Sequence, residues 1–198
     1  MTPAVATRTR LPADQRRALI LRAAAQLFAE NGYDGTTLDQ VARASGVTKP
    51  ILYRHFDSKQ QLYMALLIRH SDDMPSFVDF IPRDGGGAVD LRAILDPWFR
   101  YAQENGHGWQ MLFRDAGGDA EIAEYRRQVR VRATEVVAGF LRRADLGLDA
   151  ALVVPTAEMI RAGLAGLVVW WADHPEVSRE TIVESAVHLL QPAFAPRP

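Results

Sequence analysis

Residues 38–56 read LDQVARASGVTKPILYRHF, two short stretches of helix-forming sequence that meet at a glycine. Thr37 and Gln40 have the spacing of a capping box, in which each side chain bonds a free backbone N–H of the first turn. Gly46 follows about two turns later and can adopt the left-handed conformation that ends a helix. Pro50 is tolerated in a first helical turn, where its missing N–H would have no partner. The stretch therefore predicts two short helices joined by a tight turn.

Apolar side chains in this stretch can close the angle between the two helices. Ala42 is small where the first helix crosses the second, and Val47 fills the angle after the turn. Val41 and Leu52 complete a small core. This combination is typical of a helix-turn-helix, whose second helix, here residues 49–55, reads the major groove of DNA.

Helical periodicity extends to both sides of this motif, and no alternating strand pattern is present. Prolines and a run of three glycines make residues 75–87 the clearest linker. The sequence predicts an all-α fold with an N-terminal three-helix helix-turn-helix DNA-binding domain and connecting helix over residues 12–72. A second helical domain is expected over residues 73–198.

The charge of the chain is unevenly distributed. The net charge is −1, but the residues up to Asp72 hold ten Lys and Arg against six Asp and Glu. Both lysines of the chain, Lys49 and Lys59, lie in this basic third. Such an excess is compatible with a nucleic-acid partner.

Several classes of protein are not expected. The absence of cysteine excludes disulfides and thiolate metal sites. The histidines and carboxylates lack metal-site spacing, and no nucleophile elbow or phosphate-binding loop is present. We therefore predict a protein that is not an enzyme and has no cofactor. No export signal is recognisable, and the longest apolar run is far shorter than the roughly 20 residues of a membrane span, so a cytoplasmic protein without membrane contact is expected.

The N-terminal third contains a set of short motifs in a fixed order: Phe28-Ala29-Glu30-Asn31-Gly32-Tyr33, Thr36-Thr37, Val41-Ala42, Ser45-Gly46-Val47, Leu52-Tyr53-Arg54-His55-Phe56 and Lys59. With these motifs, residues 15–66 resemble the DNA-binding domain of the tetracycline-repressor (TetR) family. The resemblance implies a homodimer that binds double-stranded operator DNA, usually a repressor released from a palindromic site by a small-molecule ligand. Pro50 departs from the family, in which a small residue or glycine is usual.

The predicted DNA-binding residues divide into base-reading and phosphate-binding sets. Lys49 can donate to guanine O6 and N7 from the first turn of the reading helix, with Pro50 and Ile51 beside it. Arg8 and Arg10 form either a minor-groove arm or a solvated tail, and Tyr53 has a second possible role in packing against its neighbours. The side chains and helix N-termini expected at phosphates are those of Thr37, Thr48, Tyr53, His55 and Lys59.

The second domain is rich in aromatic residues and in apolar helix. Most aromatics are expected in the core, while the resemblance implies a small-molecule pocket, for which the candidates are Trp98, Tyr101, His107, Trp109, Phe113, Tyr125 and Trp170. The last two helices carry too many apolar residues for one buried stripe and predict a dimer interface, with an ordinary monomer core as the alternative. The predicted interface residues are Leu164, Leu167, Val168, Trp171, Ile182, Val183, Ala186 and Leu190.

One alternative function remains open at this stage. A helical module that binds a ligand or a protein, and no longer binds DNA, would have a similar second domain. The retention of Thr48, Lys49, Tyr53 and Lys59 favours the DNA-binding regulator.

Overall fold

The computed structural model describes residues 12–75, 89–113, 120–144 and 146–194, and these ranges contain helices and no strand. The all-α prediction is confirmed. The final helix is followed by a 3₁₀ turn, Gln191–Phe194. In chain order the α-helices are α1 (Ala13–Gly35), α2 (Leu38–Ser45), α3 (Lys49–Tyr53), α4 (Lys59–Asp73), α5 (Leu91–Glu104), α6 (Gly106–Phe113), α7 (Ala120–Arg143), α8 (Ala150–Ala172) and α9 (Arg179–Leu190).

The chain divides into two compact units, Met1–Leu66 and Leu67–Pro198. The division therefore falls inside α4, about two turns before the predicted boundary at residue 72. Most of the predicted linker, residues 76–88, lies outside the described residues.

Local capping chemistry sets the boundaries of the reading helices. The capping box is confirmed: the Thr37 hydroxyl accepts from the backbone N–H of Gln40, and the Gln40 side chain accepts from the backbone N–H of Thr37. Gly46 has φ of 70° and ends α2 as predicted. Thr48 occupies the N-cap position of α3, but its side chain makes no capping hydrogen bond. Helix α3 also ends earlier than predicted, at Tyr53.

The N-terminal unit is held by one small core. Phe28 of α1 packs edge-on against Tyr63 of α4, with ring centroids 4.7 Å apart. Burial of these side chains is the main stabilising term for so short a set of helices. The other buried members are Ile20, Leu21, Ala24, Val41, Ala42, Leu52, Phe56, Leu62 and Leu66.

The second unit has a larger core formed by α5, α7, α8 and α9. Phe99, Leu164, Val168 and Trp171 are all buried in it. Arg126 of α7 is also buried, and its Nε donates to the Met111 carbonyl of α6 over 2.9 Å. That bond satisfies a backbone carbonyl at the end of α6.

A close contact joins α4 to α6 within this unit. A Cβ added at Gly108 would lie 2.6 Å from Nδ1 and 2.8 Å from Cγ of His70. The His70 ring therefore occupies the space that any larger residue would need. Burial, followed by the charge of Arg69, lowers the pKa of His70, against an opposing effect of Asp73. The imidazole is accordingly neutral near pH 7 and packs as an uncharged ring.

We expect Gly108→Ala to destabilise the second unit by about 1–3 kcal/mol, because the new methyl group must displace the His70 ring. Urea denaturation measures the change in the free energy of unfolding. Gly106→Ala is the matched control, because nothing lies within 4 Å of a Cβ at that position of the same helix. Adding His70→Ala to Gly108→Ala should reduce the penalty. Equal stability of the Gly108 and Gly106 variants would contradict this account.

Candidate nucleic-acid interface and effector cavity

The turn between α2 and α3 fixes which side chains the reading helix exposes. The Val47 N–H donates to the Ala42 carbonyl over 3.1 Å, and Leu52 is fully buried beneath α3. With that face anchored, Lys49 and Pro50 are exposed and Ile51 is half-buried. The first turn of α3 therefore presents Lys49 to solvent, as a base-reading side chain requires.

Lys49 is not free in this arrangement. Its Nζ lies 2.6 Å from Oδ2 of Asp39 in the first turn of α2, and both side chains are about half exposed. An ion pair in such a position contributes at most about 1 kcal/mol, so guanine acceptors can replace it. Asp39 was absent from the predicted set, because the pair forms only once the turn brings α2 and α3 together. In the unbound protein the carboxylate fixes the direction of the Lys49 ammonium group.

The predicted phosphate-binding residues differ in their availability. Thr48 is exposed and its hydroxyl caps nothing, while 47% of Tyr53 is exposed. The alternative packing role of Tyr53 therefore has little support. Thr37 is less available, because both its hydroxyl and its backbone N–H are bonded to Gln40.

Lys59 also has a partner within the protein. Its Nζ donates to the Tyr33 carbonyl over 2.9 Å and lies 4.3 Å from the centroid of the Tyr33 ring. Tyr33 is in the last turn of α1, and its carbonyl also accepts from the backbone N–H of Thr36. The lysine is half-buried and joins the start of α4 to the end of α1. Its first role is thus structural, and a phosphate contact would have to be shared with this bond.

His55 lies among arginines that were not predicted to bind DNA. Burial lowers its pKa most, and the charges of Arg16, Arg54 and Arg17 lower it further, while Asp14 opposes them. The imidazole is therefore neutral near pH 7 and can serve as a hydrogen-bond donor without charge. No spacing rule connects residues 16 and 17 to residue 55, because only the tertiary fold brings them together. The predicted arm residues Arg8 and Arg10 lie outside the described residues.

A cavity of about 260 Å³ lies in the second unit. Trp98, Trp109 and Phe113 form an aromatic wall, in which the rings of Trp109 and Phe113 stack with centroids 4.7 Å apart. The end of α4 forms another wall. The end of α4 and the two residues after it contribute Ser71, Asp72, Met74 and Pro75. Helices α7 and α8 supply the remaining lining residues: Val129, Arg132, Ala133, Val136, Val137, Arg161, Leu164 and Ala165.

The predicted ligand residues are only partly in this cavity. Trp98, Trp109 and Phe113 line it, whereas four others do not. The Tyr101 hydroxyl donates to the Asp73 carbonyl over 2.9 Å, and Trp170 stacks on His174 at the surface. His107 is exposed and Tyr125 is half-buried, both away from the cavity. The missed lining of α7 follows helical spacing over residues 129–137, a signal that becomes readable only when the buried face of α7 is known.

Two arginines bring charge to this largely apolar cavity. Arg161 is bonded through Nε and Nη2 to the two carboxylate oxygens of Glu158, at 2.9 and 2.5 Å. This bond, with a further one from Thr134, lowers the pKa of Glu158 to about 2 against the opposing effect of burial. Arg132 has no ion-pair partner in the part of the chain that the structure describes. It is the lining cation whose charge is not neutralised by an ion pair.

The predicted dimer residues lie mainly in the core of the single chain. Leu167 and Leu190 are partly buried against the core, and the other six are buried inside the single chain: Leu164, Val168, Trp171, Ile182, Val183 and Ala186. Buried side chains cannot contact a partner without opening the core. The reason is that α8 is apolar on two faces, and periodicity alone does not say which face turns inward.

The face of α8 that is exposed to solvent lies away from the buried residues Leu164 and Val168. Met159 is 70% exposed and Trp170 is 45% exposed, with Gly163 and Gly166 between them along the helix. Helix α8 is long and apolar enough to cross a membrane by composition, with a mean hydropathy of 1.6 in its most apolar window. This is weak evidence for a span, because core helices of soluble proteins share these properties.

Residues 20–66 match the family described as bacterial regulatory proteins, tetR family. Over 185 residues the chain is 31% identical to the HTH-type transcriptional activator FasR of Mycolicibacterium smegmatis, covering 90% of this chain and 82% of that protein. The chain belongs to the tetR family. It is also 37% identical over 82 residues to the negative transcriptional regulator IcaR of the biofilm operon icaADBC of Staphylococcus epidermidis, covering 41% of this chain and 43% of that one.

Solved structures agree with the family assignment. A tetR-family transcriptional regulator from Streptomyces coelicolor superposes with a TM-score of 0.66 at 25% identity, over 92% of this chain and 83% of that one. The structure of a SmeT–triclosan complex shares the fold, with a TM-score of 0.70 at 24% identity over 93% and 98% of the two chains. This tetR-family protein is thus a DNA-binding transcriptional regulator with a helix-turn-helix.

For this tetR-family regulator, we expect Lys49→Ala to reduce discrimination at one G·C step by about 1–3 kcal/mol per half-site, because the base-specific donor is removed. Fluorescence anisotropy measures binding to a duplex selected by the wild-type protein and to base-substituted duplexes. Tyr53→Phe is the comparison: removing a hydroxyl that bonds a phosphate should weaken binding to all duplexes alike. Uniform weakening by both variants would contradict the division between base and phosphate contacts.

Proposed function

We propose that this tetR-family regulator binds a palindromic operator as a homodimer in the cytoplasm and that a small, largely apolar effector controls this binding. The observation that carries the proposal is the cavity wall formed by the end of α4. Ser71, Asp72 and Met74 contact the cavity, and α4 runs unbroken from there to Lys59, shortly after the reading helix. An effector in the cavity would therefore touch the helix that continues into the DNA-binding unit.

The effector needs only a modest difference in affinity for two positions of α4. A ligand shifts an equilibrium by its difference in affinity for the two states, and couplings of about 1–3 kcal/mol are usual. A shift of α4 would change the spacing of two reading helices across a dimer. A cavity of about 260 Å³ is at the small end of ligand sites, which favours a compact effector.

Operator binding has two candidate outcomes for transcription. We propose repression, in which the bound dimer blocks the promoter and the effector releases it, and the relative named as a negative regulator supports this. Activation is the second candidate, favoured by the relative named as an activator, which matches over most of both chains. A reporter fused to the selected operator separates them, because deletion of the regulator raises expression under repression and lowers it under activation.

We expect compounds that enter the cavity to quench tryptophan fluorescence, because Trp98 and Trp109 line it. A compound screen followed by anisotropy measures both quenching and the change in DNA affinity. Ala133→Phe should fill the cavity and abolish both responses while leaving the affinity for DNA unchanged. Val131→Phe is the matched control, because that exposed residue of the same helix lies outside the cavity lining. Quenching hits that still act on Ala133→Phe would refute the assigned site.

The proposed dimer interface is the exposed face of α8 with the neighbouring part of α9. We infer that a second copy of this chain covers it. Leu189 of α9 is 79% exposed, and a Cβ added at Gly163 or Gly166 would meet nothing within 4 Å. Two glycines on an open apolar face let another helix approach closely. An apolar helix with two thirds of its most apolar window unburied needs such a cover in water.

We expect the double substitution Met159→Glu and Trp170→Glu to produce monomers, because two carboxylates would be buried at each copy of the interface. Sedimentation equilibrium measures the oligomeric state. Affinity for the operator should fall by about 10²-fold or more, because each half-site then binds separately. Val131→Glu is the control, since that exposed residue lies on α7. A double variant that stays dimeric would place the interface elsewhere.

A further inference from the structure

Four side chains near the start of α1 and the end of α3 lie within electrostatic reach of one another. Arg16 and Arg17 belong to α1, and Arg54 and His55 directly follow α3. The guanidinium of Arg17 lies 5.0 Å from the centroid of the Phe56 ring, next to His55 in the chain. Each of the three arginines acts on the charge of His55. The fold thus gathers three permanent cations and one imidazole.

This cluster has little negative charge to balance it. Among the described residues, none of the three arginines has an ion-pair partner, and Asp14 is the one carboxylate that acts on His55. The Nε of Arg16 is buried without a hydrogen-bond partner. A buried donor without an acceptor is unfavourable, so an acceptor that reached this group would recover stability.

The arginines of the second unit show the contrast. Seven of them, in the described part of that unit, lie within ion-pair distance of a carboxylate: Arg69, Arg92, Arg100, Arg127, Arg142, Arg161 and Arg179. In the N-terminal unit the described arginines have no such partner. Most described arginines of the second unit are therefore ion-paired, although Arg132 is not, whereas the cluster belongs to a unit in which none of the described arginines is.

We propose that Arg16, Arg17, Arg54 and His55 form one binding site for the sugar-phosphate backbone of DNA, beside the groove that α3 reads. Guanidinium groups bind phosphate oxygens through paired N–H donors, and backbone contacts fix the register of a reading helix without reading sequence. The site rests on the DNA-binding function of the family. It adds α1, which the helix-turn-helix pattern leaves out, to the DNA-contacting surface.

The site also makes DNA binding depend on pH. In the free protein burial, and after it the charges of Arg16, Arg54 and Arg17, keep the pKa of His55 below its ordinary value, with Asp14 opposing them. A bound phosphate places negative charge beside the imidazole and raises that pKa, so the complex holds more protons than the free protein. By linkage, affinity for DNA then increases as the pH falls through the range around 6.5.

The test measures binding of Arg16→Gln/Arg17→Gln to a selected duplex and to a scrambled one, by anisotropy across a salt series. Arg22→Gln is the matched control, because Arg22 is exposed on the same helix but does not act on His55. We expect weaker binding to both duplexes, an unchanged specificity ratio, and a salt dependence less steep by about 0.9 for each phosphate that the variant no longer binds. The control should bind like the wild type, and His55→Gln should lose the increase in affinity between pH 7.5 and 6.

The possible outcomes distinguish a failure of the proposed phosphate site from a failure of the proposed DNA-binding function. A folded double variant with wild-type affinity and salt dependence would overturn the phosphate site while the DNA-binding function stands. A wild-type protein that binds no duplex would overturn both. Arg54→Gln tests the same site from the end of α3, should the α1 substitutions reduce the melting temperature. Competition by inorganic phosphate beyond that of chloride at equal ionic strength, without a change in salt dependence, would assign a site for a free anion and refute the backbone contact.

Discussion

Helix α4 is anchored at both ends, and the proposed regulation depends on this constraint. At its start Lys59 bonds the Tyr33 carbonyl, within the N-terminal unit. Near its end the ring of His70 lies against Gly108 of α6, within the second unit. An uninterrupted helix transmits a displacement along its axis because its backbone hydrogen bonds are satisfied throughout. Under the proposed regulation, a change at the wall formed by Ser71, Asp72 and Met74 would reach the reading helices along this helix.

The parts of the fold that follow from local chemistry could be predicted from the sequence. The capping box of Thr37 and Gln40, the left-handed turn at Gly46 and the first-turn proline Pro50 each involve residues that are close together in the chain. Their spacing alone therefore indicates the boundaries of α2 and the start of α3. The hydroxyl of Thr48, at the N-cap position of α3, makes no capping hydrogen bond. A side chain that makes no local hydrogen bond, such as that of Thr48, is available to bind a partner molecule.

The parts that depend on tertiary placement could not be predicted. The pair of Lys49 with Asp39 and the bond from Lys59 to Tyr33 join residues that no periodicity links. The buried face of α8 could not be predicted for a different reason. When a helix is apolar nearly all round, the buried stripe containing Leu164 and the exposed stripe containing Met159 have the same composition. Only the packing of α7 against α8 decides between them.

The distribution of charge separates the two units more clearly than the net charge of −1 does. In the second unit most described arginines form ion pairs with carboxylates of the same chain, which limits repulsion between them. Among the described residues that line the cavity, Arg132 is the cation without an ion pair. In the described part of the N-terminal unit the arginines remain unpaired, while a carboxylate holds the base-reading lysine. Unpaired cations attract any polyanion, whereas a lysine restrained by Asp39 must exchange one partner for another. Under the proposed DNA contacts, the arginines would supply affinity and the first turn of α3 would supply discrimination.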